Sequence, residues 1–273
     1  MFNKIAKKVM VISLSVSLAA TVFASSVSAA VTFTDIKKGD SHFEAVNSLA
    51  AAGVIKGYPG GTFGPYNELQ RQHGAVLFQK SLNLAIPTDY LSRLSKYYTD
   101  VDETNDYAEQ IAAVTPDIFT GGGGAFRPVE KMTREQMATT MVKALGLKDN
   151  GKETTINLNN VSDSHKQNVK IFAQYGITNQ LQDFKPRDPV TRAQFATFLQ
   201  KSLLVAIPHS INLNSGITMF DRAVEITLNV SNPSNYQVFV DGKELLYKNG
   251  KFVGVVEATK TDEVKQSLVI IKK

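Results

Sequence analysis

The sequence predicts a mainly α-helical repeat domain followed by a small all-β C-terminal module. Three observations predict it. The segments Glu68-Leu69-Gln70-Arg71-Gln72-His73, Lys131-Met132-Thr133-Arg134-Glu135-Gln136 and Pro189-Val190-Thr191-Arg192-Ala193-Gln194 align without gaps, and each opens an apolar helical stretch ending near Leu84, Leu147 or Leu204. Their arginines lie 63 and 58 residues apart (134 − 71 and 192 − 134), and repetition at a near-fixed period marks an architecture of stacked units. After Ile207-Pro208 the helical period gives way to strict alternation, the mark of half-buried strands.

The first 29 residues read as a secretory signal. Lys4, Lys7 and Lys8 precede an apolar run from Val9 to Phe23, and Val27-Ser28-Ala29 suits a cut before Ala30. The run falls short of the roughly 20 residues a spanning helix needs, so no membrane insertion is expected after cleavage. Cleavage leaves 244 residues (273 − 29) and removes three lysines, taking the net charge from +5 to +2. So small a charge argues against a nucleic-acid partner. Cysteine is absent, so the exported chain must rely on its core rather than on disulfides.

Three repeats are expected, over 30–88, 89–150 and 151–207. Each opens with an extended piece: Phe33-Thr34-Asp35-Ile36, Tyr98-Thr99-Asp100-Val101 or Leu158-Asn159-Asn160-Val161. A helix follows, with Ser41 and Glu44, and Ser164 and Gln167, at capping-box spacing. Gly53 and Gly176 are placed to end helices in the left-handed region. A glycine-rich turn comes next, Gly57 to Pro65 in the first repeat and Thr120 to Pro128 in the second, reduced to Asn179 to Pro186 in the third. All three keep an aromatic two residues before a proline, read as a core plug. In the second helices, Thr133 with Gln136 and Thr191 with Gln194 again have capping-box spacing, which puts Arg134 and Arg192 at the first helical position. Free N–H groups at a helix start beside an arginine fork suit a carboxylate or phosphate. The alternative is an arginine that pairs with an acid of the neighbouring repeat.

Other chemistries find little support. Asp100-Val101-Asp102-Glu103-Thr104-Asn105-Asp106 resembles a calcium loop in its acids, but Asn105 and Ile111 stand where the loop needs glycine and glutamate. Gly121 to Gly124 lack a following Gly-Lys-Ser/Thr, and the four histidines show no zinc spacing. No cofactor or metal is expected.

The repeats resemble the S-layer homology family. Phe33-Thr34-Asp35-Ile36, Gly57 to Pro65, Met132-Thr133-Arg134-Glu135 and Ala144-Leu145-Gly146-Leu147 carry the resemblance, which runs over roughly Val31 to Val205. It implies a pseudo-threefold helical bundle with grooves between repeats. It also implies non-covalent attachment to an anionic, pyruvylated secondary cell-wall polysaccharide at a bacterial, Gram-positive surface. The residues carried over as glycan-binding are Arg71, Arg134 and Arg192, with Gly57, Tyr58 and Gly121. Three departures stand out: Gln70 and His73 replace the threonine and glutamate of the first repeat's arginine motif, Gly60 stands where the turn usually has aspartate, and Asn160 replaces the early aspartate of the third.

The module over 208–273 is expected to be a sandwich projecting outward. Val224, Ile226, Leu228 and Val230 alternate, Phe252 to Val256 and Leu268 to Ile271 read as further strands, and Asp241-Gly242 and Asn249-Gly250 are hairpin turns. The reading is a non-enzymatic anchor. An S-layer subunit or assembly factor using the module for self-association or an outer partner is the alternative. A wall glycan hydrolase using Asp221, Glu225, Asp241, Glu244 or Glu257 is the third.

Overall fold

The computed structural model describes residues 32–214 and 222–273. The expected signal peptide over 1–29 lies outside the described residues. No helix among the described residues is long and apolar enough to cross a membrane.

Among the described residues, seven helices precede the sheets: α1 (Phe43–Ala51), α2 (Arg71–Ser81), α3 (Tyr90–Tyr97), α4 (Ala108–Val114), α5 (Arg134–Ala144), α6 (Asp163–Gln174) and α7 (Arg192–Ala206). Helices α2, α5 and α7 start at the three arginines. The residue two before each arginine is extended and fully buried: Leu69, Met132 and Val190. Their backbones form a closed ring, with the amide of Leu69 donating to Val190 (2.9 Å), that of Met132 to Leu69 (2.8 Å) and that of Val190 to Met132 (2.9 Å). Around this ring α2 packs on α4, α5 on α6 and α7 on α1. Each arginine-led helix therefore leans on a helix of the next segment, and the last returns to the first segment.

The local chemistry follows the sequence in several places. Thr133 and Thr191 form capping boxes with Gln136 and Gln194. Gly53 and Gly176 take φ of +72° and +66° just past α1 and α6, the left-handed closure that glycine accepts without a Cβ clash. Phe63, Phe126 and Phe184 are buried plugs.

Elsewhere the structure corrects the expectation. Ser41 does not cap α1, whose N-cap is His42 without a side-chain bond. Helix α6 begins earlier than Ser164, after Ser162, whose hydroxyl bonds Glu135 (2.8 Å) instead of its own helix. Residues 33–36 turn rather than extend, because the Asp35 carboxylate accepts the amides of Phe63 and Gly64 (2.7 Å each). Asp100 accepts those of Phe126 and Arg127 in the same way (2.7 Å each). Helix α3 went unanticipated. Its signal was the helical spacing of Tyr90, Leu94 and Tyr97, of which Leu94 is fully buried.

The C-terminal region holds two antiparallel sheets. Strands β1 (His209–Asn214), β2 (Arg222–Leu228), β5 (Leu246–Lys248) and β6 (Lys251–Val256) form one, in the order β1-β2-β6-β5. Strands β3 (Tyr236–Val240), β4 (Lys243–Glu244) and β7 (Val269–Lys272) form the other, in the order β4-β3-β7. Both hairpin turns form, with positive φ at Asp241-Gly242 and Asn249-Gly250. The region is not all-β, since α8 (Thr261–Ser267) precedes β7. It opens where Glu263 accepts the amides of Thr259 (2.6 Å) and Lys260 (3.3 Å).

Nor does the region stand apart. Alternation sends Val238, Val240 and Ile270 into a core shared with the first sheet through Val224, Ile226 and Phe252. It sends Phe239, Val269 and Ile271 the other way, into the core of the helices. The three-stranded sheet is thus a middle layer buried on both faces, and Gln200 of α7 donates across the junction to the carbonyls of Lys265 (2.9 Å) and Leu268 (2.7 Å).

Candidate functional site

Each arginine docks, by main chain and side chain together, onto the segment that follows a plug aromatic. At Arg192 the backbone amide donates to Asn67 (2.9 Å) and the amide of Ala193 to Pro65 (3.1 Å). The Nε–H donates to the carbonyl of Phe63 (2.9 Å). Arg134 does the same onto Asp188, Pro186 and Phe184, and Arg71 onto Glu130, Pro128 and Phe126. The guanidinium carbons stack over the plug rings, at 4.7 Å for Arg192 over Phe63, 4.9 Å for Arg134 over Phe184 and 5.1 Å for Arg71 over Phe126. A planar cation that donates along one edge and stacks on a ring face suits this role, which lysine cannot fill.

This geometry removes one premise of the sequence reading. The helix starts do not offer free amides, because the first two N–H groups of α2, α5 and α7 are donated to the neighbouring segment. In α5 and α7 the third goes to the threonine cap. Any anion recognition must come from the guanidinium fork, not from the helix end.

The three forks differ in access. Arg71 and Arg134 are only 9% and 4% exposed. Arg71 also faces the amide oxygen of Gln136 (3.5 Å), and the fork of Arg134 is closed by a short bond to the Gln180 side chain. Phe198, a residue the sequence reading passed over, lies 5.3 Å beneath Arg134. Arg192 is half-buried. It uses two donors, to Phe63 and to the Lys56 carbonyl (3.0 Å), of the five a guanidinium carries. Its fork also stands 4.8 Å over Tyr58, which is 41% exposed. Burial pushes the Asp35 carboxyl up, but the amides of Phe63 and Gly64, with Arg192 nearby, hold it below the usual carboxylate range. An ionised carboxylate thus braces the turn beneath the fork.

The best-preserved turn and a well-capped arginine therefore meet in one place. Gly57 and Tyr58 belong to the first segment and Arg192 to the third, and the ring closure joins them. Gly57 serves the turn sterically, since a Cβ there would sit 2.5 Å from the Phe33 ring and 2.7 Å from the Thr62 carbonyl. Gly121 combines φ of +63° with a Cβ position 2.6 Å from both the Ala125 carbonyl and the Tyr98 ring. It lies in the turn that receives Arg71, away from Arg192.

Two histidine–threonine pairs escaped the sequence reading. His42 bonds Thr197 (2.8 Å) and His165 bonds Thr139 (2.7 Å). Each threonine lies five residues beyond its arginine, a regularity visible once the segments are aligned. Among the carboxylates of the C-terminal region, Glu225 pairs with Lys251 and Glu257 with Lys38. Glu244 accepts from Gln237 (3.0 Å), and Asp221 lies outside the described residues.

Comparison with known proteins locates the family signal. The S-layer homology domain matches residues 32–72, a span that includes the Asp35 clamp, the Gly57–Tyr58 turn and Arg71. The chain is 29% identical over 206 residues, 72% of its length, to the S-layer protein sap of Bacillus anthracis. It is 29% identical over 160 residues, 56% of its length, to a cellulosome-anchoring protein of Acetivibrio thermocellus. It is also 29% identical over 212 residues, 73% of its length, to an endoglucanase of a Bacillus species. It spans 24%, 36% and 22% of those three proteins.

Proposed function

We propose that the chain anchors itself, without covalent attachment, to an anionic polysaccharide of a Gram-positive bacterial cell wall, pyruvylated in the version we favour. Three S-layer homology repeats form the anchor, over 30–88, 89–150 and 151–207, and the region 208–273 is a module docked on them. The Arg192–Tyr58 groove is the principal binding site, with Gly57 shaping its turn. Arg71, Arg134 and Gly121 act mainly in holding the ring of segments together.

The observation that carries this reading is the Arg192 fork, half-buried on the exposed ring of Tyr58 with guanidinium N–H donors left over. Such a fork suits a carboxylate on a sugar, and an aromatic ring with one open side suits the sugar's apolar face. Shared identity with an anchoring protein, an S-layer protein and an endoglucanase is what a common attachment segment would give. On that view the enzyme resembles this chain through its anchor, and no catalysis is assigned here.

The test is co-sedimentation of Arg192→Ala and Tyr58→Ala variants with purified cell walls, before and after removal of acidic substituents. A charge-assisted hydrogen bond contributes about 1.5–3 kcal/mol, so losing the fork should weaken binding about tenfold or more. Unchanged affinity in a folded Arg192→Ala variant, or equal affinity for the neutral glycan, would refute the reading. S-layer relatives favour a lattice subunit as the second reading, which ordered sheets in electron micrographs of the purified protein would support.

A further inference from the structure

Helix α7 runs on from the Arg192 groove toward the C-terminal region. Lys201 lies nine residues along it, about 13 Å away by the helical rise, and there a cavity of about 650 Å³ opens. Four parts of the chain build it: the start of α1 with Ser41 and Glu44, the turn after α6 with Ile177, α7 with Thr197 and Lys201, and the docked region with His209 and Gln266. The size is that of a small-molecule site. The site exists only with the last region in place, which the Gln200 bonds across the junction secure.

Two lining residues carry opposite charges without an ion pair among the described residues. Glu44 and Lys201 are both half-buried, and among the described residues neither has an opposite charge within 4.0 Å. Of the other charges, Lys265 pairs with Asp262 (2.9 Å), and Asp40, which is exposed, accepts the amide of Lys37 (2.8 Å). Burial and then the Asp241 charge raise the Glu44 carboxyl, an effect the Lys38 charge only reduces. Leaving a half-buried charge unpaired is costly, and a ligand supplying both partners would relieve two such costs at once.

The neutral lining agrees. The Nδ1 of His209 can only donate to the Ile207 carbonyl (2.8 Å), which leaves Nε2 for a second hydrogen bond. Ser41, Thr197 and Gln266 add hydroxyl and amide groups, and Ile177 and Leu204 supply apolar wall.

We propose that this cavity binds a small zwitterion, a compact molecule with a free ammonium and a free carboxylate such as an unblocked short peptide. The carboxylate meets Lys201 and the ammonium meets Glu44. The inference is independent of the glycan groove and uses none of its residues.

Isothermal titration of the full chain with alanyl-alanine tests it, against N-acetyl-alanyl-alanine, which lacks the ammonium, and alanyl-alaninamide, which lacks the carboxylate. The free dipeptide should bind saturably at millimolar concentration or below, and each blocked form should bind about tenfold more weakly, the size of one lost charge-assisted contact. Lys201→Gln should abolish the preference for the free carboxylate, and Glu44→Gln that for the free ammonium. Both variants should still sediment with cell walls. Absence of saturable dipeptide binding, equal affinity for the blocked forms, or binding intact in both variants would overturn the proposal.

Discussion

Replacing Arg134 by alanine separates holding from binding. Arg134 is 4% exposed, donates to the Phe184 carbonyl at 2.7 Å, and stacks on Phe184 and Phe198. Removing it strips a buried acceptor of its donor, which costs about 1–3 kcal/mol. It also removes a desolvated cation–ring contact of about 2 kcal/mol. Burial itself disfavours the guanidinium, lowering its pKa, so relief of that desolvation offsets part of the loss. The net is about 3 kcal/mol, or a melting temperature lower by about 6–12 °C in a chain of this size. Arg192→Ala should cost only about 1 kcal/mol, because water can reach the groups it leaves. Differential scanning calorimetry paired with wall co-sedimentation reads both effects. Arg134→Ala should be the less stable variant and Arg192→Ala the weaker binder. An Arg134→Ala protein melting within about 2 °C of the parent, under 1 kcal/mol, would refute the clip. So would an Arg192→Ala protein that melts below it.

Two further outcomes follow from the packing. Phe239→Ala should destabilise by about 3–5 kcal/mol and lower one shared calorimetric transition, because Phe239 is 4% exposed in the core of the helices; two separate transitions, with the helical one unmoved, would show that the junction carries no stability. Burial is the main cause lowering the pKa of His42, His73 and His165, aided by Lys201 at the first, Arg192 and Lys131 at the second, and Lys143 against Glu135 at the third. The unfolded chain therefore binds more protons as pH falls, so their contribution is complete above the unfolded value of about 6.5 and is lost as pH drops through the lower folded values. Melting temperature should fall between about pH 7.5 and 5.5, and a His42→Asn, His165→Asn protein should show a flatter profile; a flat profile in the parent would contradict this. Asp35 and Asp149, both held low by hydrogen bonds, act in a separate, more acidic window.

What the sequence disclosed depended on whether the cause was local. Thr133 and Thr191 cap their helices because a capping box needs only four consecutive residues. Asp241-Gly242 and Asn249-Gly250 turn because their backbones accept positive φ wherever they sit. Ser41 and Ser164 had the same local signal and did not cap, since tertiary contacts set where α1 and α6 begin. Glu135, from the preceding segment, takes the Ser162 amide and hydroxyl. The docking of the last region was hidden for a related reason. The run Val238-Phe239-Val240 is apolar at every position, and alternation alone cannot say that both faces of its sheet are covered. The site was half legible. The recurring arginines pointed to it, but the pairing of Arg192 with Tyr58, 134 residues away (192 − 58), appears only once the ring closes.

That closure constrains what the arginines can do. Each fork has a fixed number of donors, and Nε is spent on the next segment's carbonyl in all three places. Function can therefore differ only in what remains. At Arg134 the Gln180 side-chain oxygen lies against the fork, in a position a ligand oxygen would need, and the site is sealed. At Arg192 the receiving segment brings the Gly57–Thr62 turn, which bonds to itself through the Tyr58 amide and the Thr62 carbonyl (2.7 Å) and leaves the Tyr58 ring 41% exposed. The same holding interaction thus becomes an open one where the turn sets an exposed ring under the fork. Replacing Gln180 by glycine should test this, since it removes the competing oxygen while leaving the Nε bond of Arg134 in place. If access rather than the arginine itself limits binding, Gln180→Gly should raise the number of glycan fragments bound per chain in a calorimetric titration. An unchanged stoichiometry in a folded variant would mean that the Tyr58 platform, and not the freed fork, makes the site.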